Sequence, residues 1–526
     1  MPPVATALTI AQLFANTAQA FGDRPAIEDS GRSISYRELD RLRRQAARAL
    51  LALDVQVGDR VAIWAPNIWE WIVAAGALQS IGAALVPLNT RMKGSEAGYI
   101  LRESGACVLF AIGEFLGVDY PGMLATEDLP ALRHIVTLRG AGSGTLRWET
   151  FLDLAADLPQ LALRTREQQV GPQALSDLLF TSGTTGKPKG VKTCHGQNLR
   201  IVRDWSDIVG LREGDRYLIV NPFFHSFGYK AGWLAALMRG CTILPQQVFD
   251  VQAVLECVQR ERITVLPGPP TLYQSLLAHP QRDAFDLSSL RVAVTGAAAI
   301  PVEMIHRMRD ELGFATIVTA YGLTEVCGFA TICRPGDDAD RVANTSGRAM
   351  PGVEVRCVGS NGRSQPANVP GEVQIRGYNL MQGYFNNPQA SREMLDADGW
   401  LHTGDIGVLD EQGYLRITDR LKDMFITGGF NVYPAEIEQC LLTYPGVAQV
   451  AVIGIPDERM GEVAMAFLLP APGIEIEEAR FLAWCREQMA NYKVPRRVQV
   501  LENMPLNAAG KVTKNVLREW ALVSVD

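Results

Sequence analysis

Histidine and cysteine are both scarce in this 526-residue chain, which has six of the first and nine of the second. The cysteines (Cys107, Cys194, Cys241, Cys257, Cys327, Cys333, Cys357, Cys440 and Cys485) are odd in number and scattered. They form no CxxC pair and have no zinc-type histidine spacing, which excludes a disulfide scaffold and a structural zinc module. Reduced, mostly buried thiols in a cytoplasmic protein are expected. Charge is modest: 50 Lys+Arg against 57 Asp+Glu leave a net −7 at pH 7. Such a chain has no basic face for counterion release, so a phosphate-backbone binder is excluded. A long unbroken apolar run is missing too. Residues 71–88 come nearest, but Gln79, Ser80 and Pro87 interrupt them, so they read as a buried helix feeding a strand. Residues 1–21 lack the charged start and apolar core of a signal peptide; Leu8, Ile10, Leu13 and Phe14 fit an amphipathic helix. There is no repeat and no low-complexity tract, and 140–144 is the one evident flexible loop.

What is present is globular: 47% hydrophobic residues, with 48 Gly and 29 Pro spread throughout. At roughly 150 residues per domain the length allows three or four folding units, with ample chain to bury a core. Apolar runs at 59–65, 83–88, 107–111 and 217–220 alternate with helical stretches, the pattern of α/β layers around buried parallel strands. From 352 to 415 the texture becomes short β-branched pieces joined by Gly and Asn turns. After Arg420 helix and strand alternate again for about a hundred residues. The fold class expected is therefore α/β: a large N-terminal domain over 1–420, with a β-rich subdomain over 352–420, and a small mobile α+β lid over 421–526.

The strongest local signal is an apolar strand, Ser176-Asp177-Leu178-Leu179-Phe180, running into Thr181-Ser182-Gly183-Thr184-Thr185-Gly186-Lys187-Pro188-Lys189-Gly190. Its glycines let backbone N–H groups approach a polyphosphate, its hydroxyls donate, and its lysines add charge. It is not a Walker A loop, which needs Gly at 181 and Ser or Thr at 188.

With this loop the sequence resembles the adenylate-forming superfamily of acyl-CoA synthetases, adenylation domains and firefly luciferase. The resemblance runs through Thr319-Ala320-Tyr321-Gly322-Leu323-Thr324-Glu325, Gly371-Glu372-Val373, Trp400-Leu401-His402-Thr403-Gly404-Asp405, Ile417-Thr418-Asp419-Arg420-Leu421-Lys422-Asp423, Asn431-Val432-Tyr433-Pro434-Ala435-Glu436-Ile437-Glu438 and Pro505-Leu506-Asn507-Ala508-Ala509-Gly510-Lys511. It implies an AMP-forming acid–thiol ligase that converts a carboxylic acid and ATP into an acyl-adenylate and pyrophosphate, then passes the acyl group to CoA.

Under the resemblance, Thr181, Ser182, Gly183, Thr184, Thr185, Gly186, Lys187 and Lys189 cradle the ATP phosphates. Thr324 and Glu325 reach the α-phosphate and Mg²⁺, with Glu325 the metal ligand. Tyr321 faces adenine against a wall of Gly296, Ala297 and Ala298, Asp405 accepts the ribose hydroxyls, and Arg420 assists. Lys511 is the mobile cation that bridges the two reacting groups. Lys422 is the hinge for lid rotation, Gly429 borders the pantetheine arm, and His225 gates the thiol tunnel. The acid pocket is expected among Phe227, Tyr229, Lys230, Pro269, Thr271, Thr295, Gly322, Leu323 and Cys327. These are mostly apolar, so a hydrophobic acid follows. Lys230 is the exception, serving either a polar substituent such as a ketone or pointing to solvent or backbone.

The combination of 224–230 with 266–273 looks like bacterial ligases for the bicyclic propanoate left by steroid ring degradation, or for polycyclic acids. Medium- or long-chain fatty acids are the alternative, as is an acyl-AMP ligase that loads a carrier protein. Few residues follow Lys511, which leaves no room for a carrier domain and favours free CoA; Lys493, Arg496, Arg497 and Arg518 are candidates for its nucleotide end. The oligomeric state, a homodimer included, is open.

Overall fold

The structure, a computed structural model, describes residues 7–140, 142, 144–181, 188–296, 300–420, 423–427, 430–432, 434–457, 460–489, 491–507 and 511–523. By backbone contacts the chain divides into two units, one of Met1–Gly296, Ile300–Glu354 and Arg376–Leu401, the other of Ala297–Ala299, Val355–Ile375 and His402–Asp526.

The first unit begins with the helix Ile10–Phe21, whose Thr9 side chain accepts the Gln12 N–H at 3.3 Å and whose end is closed by Gly22 in a left-handed turn. That cap fixes the start after Leu8. Leu8, expected on the apolar face, is therefore outside the helix and 56% exposed, while Ile10, Leu13 and Phe14 are buried. The helix Trp69–Ser80 is buried along its whole length and is followed by the strand Ala84–Pro87, as the interrupted apolar run implied. It packs against Tyr36–Ala52 and Ile10–Phe21.

Ala84–Pro87 lies in a seven-stranded sheet ordered Lys189–Cys194, Leu175–Thr181, Ala84–Pro87, Arg60–Trp64, Val108–Ala111, His134–Thr137, Leu146–Arg147. All neighbours are parallel except the first pair, an antiparallel hairpin whose last register pair is Thr181 and Lys189. Strands covered on both faces read as continuous apolar runs, which is why they were legible. A second sheet joins Arg216–Ile219, Thr242–Pro245, Pro25–Asp29 and Arg32–Ser35 to Val292–Gly296, Thr316–Tyr321, Thr331–Ile332 and Arg348–Ala349; Val265 bridges the halves by pairing with Tyr217 and Val292.

The β-rich stretch forms a four-stranded sheet ordered Val353–Val358, Gly371–Gly377, Leu401–Leu409, Leu415–Arg420. By contacts Val355–Ile375 and the residues from His402 on belong to the second unit, and Arg376–Leu401 to the first. Leu421 and Lys422, where the domain boundary and hinge were expected, are outside the described residues. Farther on, the hairpin Val447–Asp457 with Gly461–Pro470 is the spine of another sheet. Its alternating side chains make two cores. Val452, Ala464, Ala466 and Leu468 pack with Ile437, Leu441, Phe481 and Cys485 of two helices, whereas Ile453, Met465 and Phe467 pack with Leu517 and Ala521 of the last helix.

Candidate active site

In open α/β sheets ligands bind beyond the carboxyl ends of parallel strands. Two such ends lie side by side here: Val292–Gly296 and Thr316–Tyr321 are parallel and in register, with Gly296 opposite Ala320. A Cβ at Gly296 would stand 2.5 Å from the Ala320 carbonyl oxygen, so the backbones approach this closely only with glycine. Tyr321 is half-buried at the rim. Gly322, Leu323 and Thr324 then lead into the single turn Thr324–Val326, folded back because the Gly328 N–H donates to the Leu323 carbonyl at 2.9 Å and Cys327 adopts a left-handed φ of 57°. A Cβ on Gly322 would collide with the backbone of Gly328 and Phe329.

This turn presents Glu325, whose side chain is buried. Its Oε1 accepts the Tyr384 hydroxyl at 3.0 Å and faces Thr181 Oγ1 at 3.5 Å; its carbonyl accepts the Met381 N–H at 2.8 Å. The phosphate-loop strand and the Tyr321–Glu325 motif, 144 residues apart, therefore meet at one carboxylate. Burial first, and then the Glu325 charge, push the Tyr384 hydroxyl well above the usual phenol range, which keeps it a donor. Lys189 Nζ lies 5.3 Å over the Tyr384 ring.

The segment expected to line the acid pocket is a π-helix, Phe227–Leu234, with non-helical dihedrals at Gly232. His225 is exposed just before it; its Nδ1 accepts the Phe227 N–H at 3.3 Å. Phe227 is half-buried, whereas Tyr229 and Lys230 are fully buried and reach Asp177. Lys230 points neither to solvent nor to backbone. Its Nζ is 3.6 Å from Asp177 Oδ1 and donates to Thr193 Oγ1 at 3.2 Å. The Asp177 carboxylate also accepts Thr193 Oγ1 and Asn198 Nδ2, both at 2.6 Å, and the Tyr229 hydroxyl at 3.4 Å. Pro269 and Thr271 are exposed at the start of the helix Pro270–Ala278, which is docked beside Val292–Gly296 by the Gly268 N–H donating to the Val294 carbonyl at 3.0 Å. Thr295 and Cys327 are buried.

In the second unit Asp405 is buried on a strand, directly across from Arg420 in register. The local chain is held by Glu372: its Oε2 meets His402 Nδ1 at 3.0 Å and its Oε1 accepts the Gly404 N–H at 3.3 Å. Thr403 Oγ1 donates to the Val373 carbonyl at 2.6 Å and accepts the Asp405 N–H at 3.0 Å. Lys511 is exposed; its N–H donates to Asn507 Oδ1 at 3.0 Å and its carbonyl accepts the Asn507 N–H at 2.8 Å. Arg518, a candidate for the CoA nucleotide, is paired with Asp423 at 2.7 Å.

Ser182, Gly183, Thr184, Thr185, Gly186, Lys187, Ala297, Ala298, Lys422 and Gly429 lie outside the described residues, as does the Arg420 side chain. Three residues were not singled out from sequence: Tyr384, with no local signal; Glu372, quoted only within its motif; and Asp177, whose signal was a charge in an apolar strand. Two clefts of about 330 and 610 Å³ flank the 25–35 hairpin and contain none of the expected site residues.

Residues 14–385 match the AMP-binding enzyme family and residues 436–511 its C-terminal domain. The chain belongs to the AMP-binding enzyme family. Membership carries the family's reaction class, an AMP-forming acid–thiol ligase. Two similar relatives share one name, 3-[(3aS,4S,7aS)-7a-methyl-1,5-dioxo-octahydro-1H-inden-4-yl]propanoyl:CoA ligase. That of Mycobacterium tuberculosis is 51% identical over 94% of this chain and 96% of its own, and that of Rhodococcus jostii is 47% identical over 95% and 96%. Among solved structures, the anthranilate CoA ligase AuaEII in complex with anthranoyl-AMP superposes with a TM-score of 0.89 at 28% identity, covering both chains completely. Among the described residues no helix is long and apolar enough to cross a membrane.

Proposed function

We propose that this AMP-binding enzyme activates a fused-ring keto propanoic acid, of the kind left by steroid ring degradation, and transfers it to CoA in the cytoplasm. The observation that carries this reading is 51% identity over 94% of the chain to a ligase named for such an acid. The largely apolar makeup of the segments expected to line the acid pocket supports it, because a bicyclic acid gains most from burial against apolar surface.

A carboxylate is a poor acyl donor because its leaving group would be an oxide. Its oxygen attacks the ATP α-phosphorus in line and pyrophosphate departs; the CoA sulfur then attacks the acyl carbon and AMP departs. Positioning and charge neutralisation supply most of the acceleration. The loop from Thr181 to Lys189 holds the outer phosphates. Thr324 donates to the α-phosphate, Tyr321 and Gly296 receive adenine, and Asp405 accepts both ribose hydroxyls, with Arg420 beside it.

A single buried carboxylate with one oxygen already hydrogen-bonded suits a hard cation that takes its other ligands from phosphate and water, so Glu325 would hold Mg²⁺. When bound, that ion neutralises phosphate charge as pyrophosphate leaves. Lys511 bridges the carboxylate and the phosphate during the first step and is then withdrawn by rotation about Lys422, which brings Gly429 to the pantetheine arm and leaves His225 as the gate.

The deciding experiment measures pyrophosphate release with a panel of acids: the dioxo-indanyl propanoate, an unsubstituted bicyclic propanoate, octanoate, palmitate and acetate. Turnover led by the dioxo acid, with AMP and acyl-CoA as products, is expected. Preference for acetate or palmitate overturns the substrate, and acyl transfer to a carrier protein but not to CoA overturns the acceptor.

A further inference from the structure

Three residues beyond Lys511 stands Lys514, the first residue of the last helix, Lys514–Val523. A cation at that end opposes the helix dipole, and the first turn carries no acidic side chain to offset it. The offset comes from elsewhere in the second unit. Lys514 Nζ lies 2.8 Å from Glu438 Oε1, with only 18% and 19% of the two side chains exposed. The same oxygen accepts the Val452 N–H at 2.7 Å. Glu438 belongs to the helix Pro434–Leu441, and Val452 to Val447–Asp457, the strand that ends its sheet. Ile437 and Leu441 of the first of these helices pack in one core and Leu517 and Ala521 of the last helix in the other. One carboxylate thus joins two helices and the edge strand between their cores.

The join sits next to Lys511. The Asn507 N–H donates to the Lys511 carbonyl and the Thr513 N–H to the Pro505 carbonyl, each at 2.8 Å, and Leu506 pairs antiparallel with Val512. Segments 505–507 and 511–513 therefore lie side by side and lead directly into Lys514, so a shift of the helix start shifts the Lys511 backbone. Later turns have their own anchors: Leu517 and Ala521 in the core, and Arg518 bonded to Asp423 Oδ1 at 2.7 Å. Losing the Lys514 pair loosens the first turn without undocking the helix. A largely buried ion pair adds little net stability, since desolvation offsets attraction. What it supplies here is a fixed position, and an in-line displacement is sensitive to misplacement of about 1 Å.

We propose that Glu438, acting through Lys514, is a positioning residue for Lys511 in the adenylate-forming step. This rests on the role given to Lys511 in the proposed function. The test uses ATP and whichever acid of the panel above turns over fastest. Single-turnover adenylate formation, and thioester formation from supplied acyl-adenylate and CoA, are measured in Lys514→Met, Lys514→Arg, Glu438→Gln, Lys511→Ala and Lys511→Ala/Lys514→Met. Lys514→Met keeps the apolar stem, and Glu438→Gln keeps an acceptor for the Val452 N–H. Each should slow adenylate formation by about tenfold and leave thioester formation within about twofold, while Lys514→Arg stays within about threefold of wild type in both steps. Added to Lys511→Ala, Lys514→Met should cost less than about twofold more, because no ammonium remains to be positioned. A further tenfold loss in that background, equal slowing of both steps, unchanged adenylate formation in Lys514→Met, or loss of fold in both Lys514→Met and Glu438→Gln overturns the inference and leaves the function intact. If Lys511→Ala slows neither step or both alike, or if no acid releases pyrophosphate, the function reading fails and the inference with it.

Discussion

The Tyr384 hydroxyl donates to Glu325 Oε1 at 3.0 Å, tying the chain just before Phe385 to the turn that follows Tyr321. Tyr384→Phe removes that donor and leaves the ring in place. For the Mg²⁺ site proposed at Glu325, losing a hydrogen-bond partner of the ligand typically changes affinity or activity by about 10- to 100-fold. The half-saturating Mg²⁺ concentration for pyrophosphate release should therefore rise about tenfold, while the fold loses only about 1 kcal/mol, measured by denaturant unfolding.

Glu372 holds the backbone that carries Asp405 through its contacts with His402 and the Gly404 N–H. Glu372→Ala frees this segment without touching nucleotide. A loss of about 1.5 kcal/mol, the lower range for a charge-assisted bond, raises the KM for ATP by about tenfold and leaves the KM for the acid within about twofold. Equal rises in both constants would show general unfolding.

Lys511 is exposed, and its N–H donates to Asn507 Oδ1. Removing its ammonium by Lys511→Ala should lower adenylate formation by at least about 100-fold, since a positioned transition-state charge is worth several kcal/mol. Thioester formation from supplied acyl-adenylate should remain within a few-fold. Single-turnover assays separate the steps, and equal loss in both defeats the assignment.

His195 is fully buried, and burial lowers its pKa to about 4 against a slight opposing pull from Asp177. Between pH 6.5 and 4 the unfolded chain takes up a proton that the folded chain refuses. Stability from this group is therefore complete above pH 6.5 and declines as pH falls, by a total of about 3 kcal/mol. His195→Gln, which keeps an acceptor for the Ile10 N–H seen at 3.2 Å, should flatten the fall of melting temperature between pH 7 and pH 4.5. An unchanged slope would place the acid sensitivity elsewhere.

Gly322 allows the rim of the strand ends to close, because any Cβ there meets the Gly328 and Phe329 backbone. Gly322→Ala should abolish pyrophosphate release or yield insoluble protein. Full activity would mean that the 322–328 loop can take another path.

Much of this was legible from sequence because buried parallel strands announce themselves as unbroken apolar runs, as in Arg60–Trp64 and Val108–Ala111. The phosphate loop and the Tyr321–Glu325 motif were equally plain, since each is contiguous. What contiguity cannot reveal is a partner far along the chain: Tyr384 joins Glu325 across 59 residues, and Lys230 joins Asp177 across 53. Lys230 shows the limit best. Its sequence neighbours made it a candidate for the acid pocket, but only packing shows that its ammonium is sealed in with Asp177. Leu8 failed for a smaller reason, a threonine cap that outweighed apolar spacing.

The sparse thiols have a practical consequence. Eight of the nine are buried, and burial raises the pKa of each of those eight, while Cys440 alone is partly exposed. Thiolate is the reactive form, so alkylating dyes should find an almost blank surface. With Cys440 replaced, single cysteines introduced at Leu116 and Leu522, which are 73% and 70% exposed, could carry a fluorophore pair. Energy transfer between the two dyes would then test the proposed rotation of the lid directly, without the remaining native thiols having to be engineered away.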